Sequence, residues 1–243
     1  SSPAEVACRC DVTFTSLPEP REIEEVAIGP QGILEGIREG GVYLDISTSG
    51  PALVRRLDPL FRRKGAHMLD APVMSSPPIA ATRHMIVMVG GEREIFDRVK
   101  PILTTFSDQV MYTGGIGSGC IIKLVTNAMG MMAAHAIVEG LTLGLKAGAR
   151  IGDILEVGSR SELGGMLGIM NQPFAKRWFR GDYEPGFRLA LARKDLGEIM
   201  ELARACNVSL PVTSILEQIL MDGMNRGWAD KDFIITFLLQ QER

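Results

Sequence analysis

The chain has 243 residues, 46% hydrophobic and 23% charged, a mixture that excludes a disordered or fibrous protein. Lys and Arg number 26 against 29 Asp and Glu, a net charge of -3, so no positive field is present to hold nucleic acid or an anionic lipid surface. Four cysteines (Cys8, Cys10, Cys120, Cys206) make no disulfide framework, and Cys8-x-Cys10 has no companion pair at metal-ligand spacing.

In chain order, short apolar runs at 12–16, 41–46, 67–71, 85–90 and 109–112 read as strands. Helical spacing falls between them at 21–28, 32–37, 51–64 and 96–103. Ser49 and Pro51 start the third of these helices and Gly65 ends it. Strands alternating with helices predict a mostly parallel, doubly wound sheet. From residue 118 the period changes. Residues 121–147 read as one helix of about 40 Å, followed by helical patterns at 152–157, 194–206, 212–223 and 232–239, with no strand alternation after residue 115. The expected architecture is an α/β half, residues 1–117, joined by the long helix to an all-helical half, residues 118–243. The apolar stretch 124–138 is bounded by Lys123 and Glu139 and interrupted by Asn127 and His135, too short for the roughly 20 apolar residues of a membrane span. The N-terminus carries no secretory pattern, and a cytoplasmic location is expected, with the mitochondrial matrix as the alternative.

Three loops fall at the carboxyl ends of successive strands: Leu17-Pro18, Asp45-Ile-Ser-Thr-Ser-Gly-Pro51 and Asp70-Ala-Pro-Val-Met-Ser-Ser76. In open α/β sheets ligands bind at those ends. The turn Gly114-Gly-Ile-Gly-Ser-Gly119 follows a strand and opens a helix, but its spacing is G-x-x-G-x-G rather than G-x-G-x-x-G, so it reads as a tight turn and not as a dinucleotide loop. Lys123 and Asn127 lie four apart on one helix face among apolar neighbours, which suits a desolvated lysine to proton transfer. The bland reading is a lysine stretched to solvent beside a helix-bridging Asn. Lys194-Asp195, taken alone, reads as a surface charge pair. His67, His84 and His135 have no ligand partner at usable spacing, and no metal site is expected.

Together these motifs resemble the β-hydroxyacid dehydrogenase family, typified by 3-hydroxyisobutyrate dehydrogenase. Leu17-Pro18 is similar to the family's turn beside the cofactor, and Asp45-x-Ser47-Thr48-x-x-Pro51 to the motif whose Thr lies near the nicotinamide. Asp70-Ala-Pro-Val matches the start of the substrate motif. Gly114-x-x-Gly117-x-Gly119-x-x-x-Lys123-x-x-x-Asn127 matches the catalytic motif, and Lys194-Asp195-Leu196, with Phe187 upstream, the motif whose Lys closes over the cofactor. The resemblance implies a Rossmann-type domain followed by an all-α domain, with NAD or NADP as cofactor. It further implies a small hydroxy or aldehyde acid as substrate and a homodimer or homotetramer. Lys123 is then the catalytic acid/base and Asn127 orients the substrate. Ser75, Ser76 and Gly119 fall with the substrate, and Leu17, Pro18, Thr48, Phe187 and Lys194 with the cofactor.

Two departures stand out. The family's first strand, Gly-rich loop and helix, roughly 50 residues carrying the pyrophosphate site, would precede Ser1, so the sequence is expected to be a fragment. The Ser-Gly-Gly of the substrate motif is Met74-Ser75-Ser76 here, which points to a changed substrate. Thr126 stands where 6-phosphogluconate dehydrogenases carry a His, and Lys123 is the residue that imine reductases usually replace. The alternatives are a non-catalytic oligomerising scaffold of the same fold, or a reductase of another carbonyl or imine.

Overall fold

The computed structural model describes residues 2–74, 80–167, 178 and 181–241. Its contacts divide the chain into two compact units: residues 1–126 with 197–208, and residues 127–196 with 209–243. The sequence reading divides at 117/118 instead; two helices each run through both units.

In the first unit, α1 (Pro3–Arg9) precedes β1 (Val12–Thr15), then α2 (Pro20–Ile28), α3 (Ile33–Gly36), β2 (Val42–Asp45), α4 (Pro51–Arg63), β3 (His67–Asp70), β4 (Val73–Met74), β5 (Ile86–Gly90), α5 (Arg93–Leu103) and β6 (Gln109–Gly114). The sheet order is β1-β2-β3-β5, with β4 continuing β3 along the same edge of β5 and β6 on the other edge. β1, β2 and β3 are parallel, whereas β5 runs antiparallel to β3 and β4 and parallel to β6. The parallel strands are linked by helices; only residues 75–85 separate β4 from β5, fewer than the dozen or more that a parallel crossover needs, so β5 runs back antiparallel.

Side chains alternate between the two faces. Tyr43 and Met68 join α1–α4 in one apolar core, while Val42, Leu44 and Leu69 join Val87, Val89 and α5 in the other. Cover on both faces explains why these strands read as continuous apolar runs. Pro51 opens α4 as predicted, but Gly50 and not Ser49 is its N-cap; the Ser49 hydroxyl instead lies 3.9 Å from Cys120 Sγ.

α6 (Ser118–Lys146) is the long helix, starting three residues earlier than read. By length and composition alone it could cross a bilayer, a longer apolar segment than the 124–138 read from the sequence. Cys120, Leu124, Ala128, Met131, Ala134 and Leu141 on this helix are buried within the fold, as is Lys123.

The second unit holds the rest of α6, then α7 (Ile151–Ser159), α8 (Gly164–Leu167), the start of α9 (Leu189–Cys206), α10 (Pro211–Asn225), a 3-10 turn (Phe233–Phe237) and α11 (Leu238–Gln241). Asp232 anchors its C-terminal part. The buried carboxylate accepts from the backbone N–H groups of Gly186 (2.8 Å), Phe187 (3.2 Å) and Ile234 (3.2 Å), and an isolated bridge joins Arg188 to Asp232. The Phe187 ring packs edge-on against Phe233 at 5.7 Å.

Packing dictates glycine at Gly119, where a Cβ would collide with the Met88 carbonyl and come within 2.9 Å of Asp70 Oδ2. Gly130, on the same helix, has open space around it. Gly119→Ala is expected to destabilise the protein by about 1–3 kcal/mol. Gly130→Ala should stabilise it by about 0.5–1 kcal/mol. Guanidinium unfolding of the two variants checks both signs.

Candidate active site

At the carboxyl edge of the first unit's sheet, Asp45 and Asp70 are registered neighbours on β2 and β3. Both are buried. Asp70 turns both oxygens to the start of α6, accepting from Gly117 N (2.7 Å) and Cys120 N (2.9 Å). These are donors that a helix start leaves without an internal partner. The Gly-rich turn is thereby explained: Gly114 and Gly117 hold positive φ (125° and 88°), and the N–H groups of Gly117 and Cys120 at the helix start are engaged by Asp70. Burial pushes the Asp70 carboxyl above its ordinary value, against the pull of those two N–H bonds. Burial and Asp70 beside it push the Cys120 thiol well up, so it is no nucleophile at neutral pH.

Lys123 follows on α6 and is 8% exposed. Leu17 and Thr48 lie in the loops after β1 and β2, and the Leu17 N–H donates to Ser47 Oγ (2.9 Å). Pro18 follows Leu17 directly. Gly119 is tightly packed against β5 and Asp70, which accounts for its lack of a side chain. Ser75 and Ser76 lie outside the described residues; Met74 ends β4 and is partly buried.

In the second unit, Asn127, Lys194 and Asp195 are brought together. Asn127 Nδ2 donates to Asp195 Oδ2 and Lys194 Nζ lies on Asp195 Oδ1, both at 2.7 Å. Asp195 is 2% exposed. The expectation of a surface charge pair is therefore wrong. α9 begins at Leu189, five residues before Lys194, so the pair falls on an inward face and not at an exposed helix start. A carboxylate only accepts, so Asp195 fixes the Asn127 amide with Nδ2 inward and leaves Oδ1 as acceptor for another group. Phe187 is held through its backbone by Asp232.

Sequence reasoning quoted Asp45, Ser47 and Asp195 only as letters of motifs, and it passed over Asp232. An acidic residue inside an otherwise apolar strand or helix face was the available signal for the first and third. For Asp232 only the fold supplies one.

The match with known proteins is consistent with this fold. Residues 1–114 match the NAD binding domain of 6-phosphogluconate dehydrogenase, and residues 117–237 the NAD-binding domain of NADP-dependent 3-hydroxyisobutyrate dehydrogenase. The 2-(hydroxymethyl)glutarate dehydrogenase of Eubacterium barkeri is 30% identical over 93% of this chain and 75% of its own length. The chloroplastic glyoxylate/succinic semialdehyde reductase 2 of Arabidopsis thaliana is 30% identical over 96% of this chain and 64% of its own. A Mycobacterium tuberculosis 3-hydroxyisobutyrate dehydrogenase solved with L-serine shares the fold, with a TM-score of 0.87 at 24% identity over 98% of this chain and 81% of that one. These findings define an NAD(P)-binding oxidoreductase. Within that class, the chain belongs to the β-hydroxyacid dehydrogenase family.

NAD or NADP is the cofactor of this class. The residues present fit its nicotinamide end: small polar loops, Ser47-Thr48-Ser49-Gly50 and Ser16-Leu17, stand at the carboxyl edge of parallel strands, where such ligands sit. The turn 114–119 does not offer the pyrophosphate the N–H groups of Gly117, Ser118 and Cys120, which bond Asp70 and the Gly115 carbonyl.

Asp45 provides a pH test. Burial and the neighbouring Asp70 raise its carboxyl, against hydrogen bonds from Ser47 and Thr15. The unfolded chain releases this proton near the ordinary value of 3.8 and the folded chain above it, so stability is lost as pH rises through that window. Asn carries no such proton. The melting temperature of Asp45→Asn relative to wild type is expected to increase from about pH 4 upward, as read by calorimetry across pH.

Proposed function

We propose that the protein interconverts a small 3-hydroxy acid and its semialdehyde, with Lys123 as general acid/base. The observation that carries this reading is a lysine 8% exposed on α6, one helical turn before an Asn whose amide is oriented by a buried carboxylate. A buried ammonium beside an oriented amide puts a proton donor and an acceptor on adjacent turns of one helix, which suits proton transfer to a group seated against both. Relatives 30% identical are named for a hydroxy acid and a semialdehyde, which supports the same substrate class. When bound, the nicotinamide gives or takes the hydride at the carbonyl carbon. Lys123 protonates the forming alkoxide during reduction and takes the proton back during oxidation. Asn127 accepts through Oδ1 and orients the hydroxyl-bearing end. By the family resemblance, Leu17, Pro18 and Thr48 of the first unit and Phe187 and Lys194 of the second are assigned to the cofactor, Lys194 being paired with Asp195 in this structure. Ser75, Ser76 and Gly119 are assigned to the substrate carboxylate by the same resemblance.

In the full-length protein, Lys123→Ala is expected to lower kcat by about 10²–10⁴-fold while fluorescence titration still registers NADH or NADPH binding. Wild-type turnover by the variant removes Lys123 from the mechanism.

The chain is further proposed to assemble as a homodimer or homotetramer. Val212 and Ile215 stand one turn apart on α10, 61% and 63% exposed. Light scattering is expected to give a multiple of the monomer mass, and Val212→Asp with Ile215→Asp to lower it.

A further inference from the structure

Thr15, Asp45, Asp70 and Gly90 form a row across four strands at the carboxyl edge of the sheet, each the registered neighbour of the next. The two carboxylates in that row do different work. Asp70 serves α6. Asp45 serves the loops after β1 and β2. Its Oδ1 accepts both from Thr15 Oγ1 (3.0 Å) and from Ser47 N (3.1 Å). Ser47 Oγ, in turn, accepts the Leu17 N–H at 2.9 Å. The Tyr43 hydroxyl lies 2.8 Å from Thr15 Oγ1 and completes the chain of polar contacts. Thr15, Tyr43, Asp45 and Ser47 are all buried, so water does not compete for these bonds. One carboxylate oxygen and one hydroxyl thus tie the loop of Leu17 and Pro18 to the loop of Thr48.

The other oxygen of Asp45 has no hydrogen-bond partner among the described residues. A buried carboxyl left half satisfied costs stability, and an apolar pair of the same shape would hold two strands together at lower cost. The arrangement is explained by what it fixes. It sets the spacing of two backbone segments, and backbone spacing is what a flat ring and its ribose read.

We propose that Asp45 and Ser47 are positioning residues for the nicotinamide nucleotide: they hold loops 16–18 and 47–49 at the separation it needs, without touching it. This inference rests on the dehydrogenase reading above. It assigns the two residues to cofactor affinity and not to proton transfer at Lys123.

The test uses the full-length protein, titrated with NADH and with NADPH and then assayed at steady state. Ser47→Ala removes one hydroxyl and is the deciding variant. It is expected to raise the cofactor Kd and KM about tenfold or more. Its kcat at saturating cofactor and its KM for the hydroxy acid should stay within about threefold of wild type. Asp45→Ala should behave like Ser47→Ala, whereas Asp45→Asn keeps the Oδ1 acceptor and should restore affinity to within about threefold of wild type. Wild-type cofactor affinity in Ser47→Ala overturns the inference. So does a parallel loss in cofactor KM, substrate KM, kcat and melting temperature, because that pattern marks general loosening of the fold. Wild-type protein that binds neither nucleotide overturns the dehydrogenase reading, and the inference with it. If Asp45→Ala fails to fold, the Ser47→Ala and Asp45→Asn pair still decides.

Discussion

The Asp70 carboxylate is buried where β3, β5 and the start of α6 meet, and it holds the Gly117 and Cys120 N–H groups. Much of the first unit is arranged to make that possible. Gly90 has no side chain because a Cβ would run into Asp70 Oδ1. Gly119 has none because Met88 and Asp70 occupy the space. Gly117 adopts a positive φ to bring its N–H round. A carboxylate at a helix start contributes about 0.5–2 kcal/mol. Its larger consequence is geometric. The start of α6 is fixed against the sheet, and Lys123 lies on its second turn.

Two neighbouring buried carboxylates would repel each other if nothing distinguished their surroundings. Here the surroundings differ. Asp70 accepts two backbone N–H groups from a helix start, whose dipole favours negative charge. Asp45 has a single engaged oxygen. Both carboxyls are raised by burial, but only for Asp45 is the neighbouring carboxylate among the causes. The two like groups are thus set in different surroundings, one holding a helix start and the other holding two loops. The sheet edge stays buried beside the loops after β1 and β2.

The second unit solves a related problem with Asp195 and Asp232. Each is 2% exposed, and each spends its oxygens on positioning neighbours. Asp232 gathers three backbone N–H groups from two segments far apart in the chain, which fixes the turn before α9. Asp195 holds a lysine and an amide at once, which decides the polarity that Asn127 presents. In both units, then, buried acids organise candidate site residues through the backbone or through a second side chain.

All the strands of the first half except the two-residue β4, its helices except α1, and the long helix were legible in the sequence, because apolar periodicity reports which residues face a core whatever that core is. The motifs around Leu17, Thr48, Lys123 and Lys194 were legible too, as spacings of residue types. The tertiary structure alone decided the reversal of β5, the burial of Lys194-Asp195 and the use of Gly50 as the cap of α4. It also decided the division of labour between Asp45 and Asp70. Each of these depends on contacts between residues distant in the chain: Asp195 with Asn127, Ser47 with Leu17, Asp70 with Gly117. Periodicity records that a residue faces inward. It cannot record which partner it meets there, and for a buried carboxylate the partner determines both its charge and its purpose.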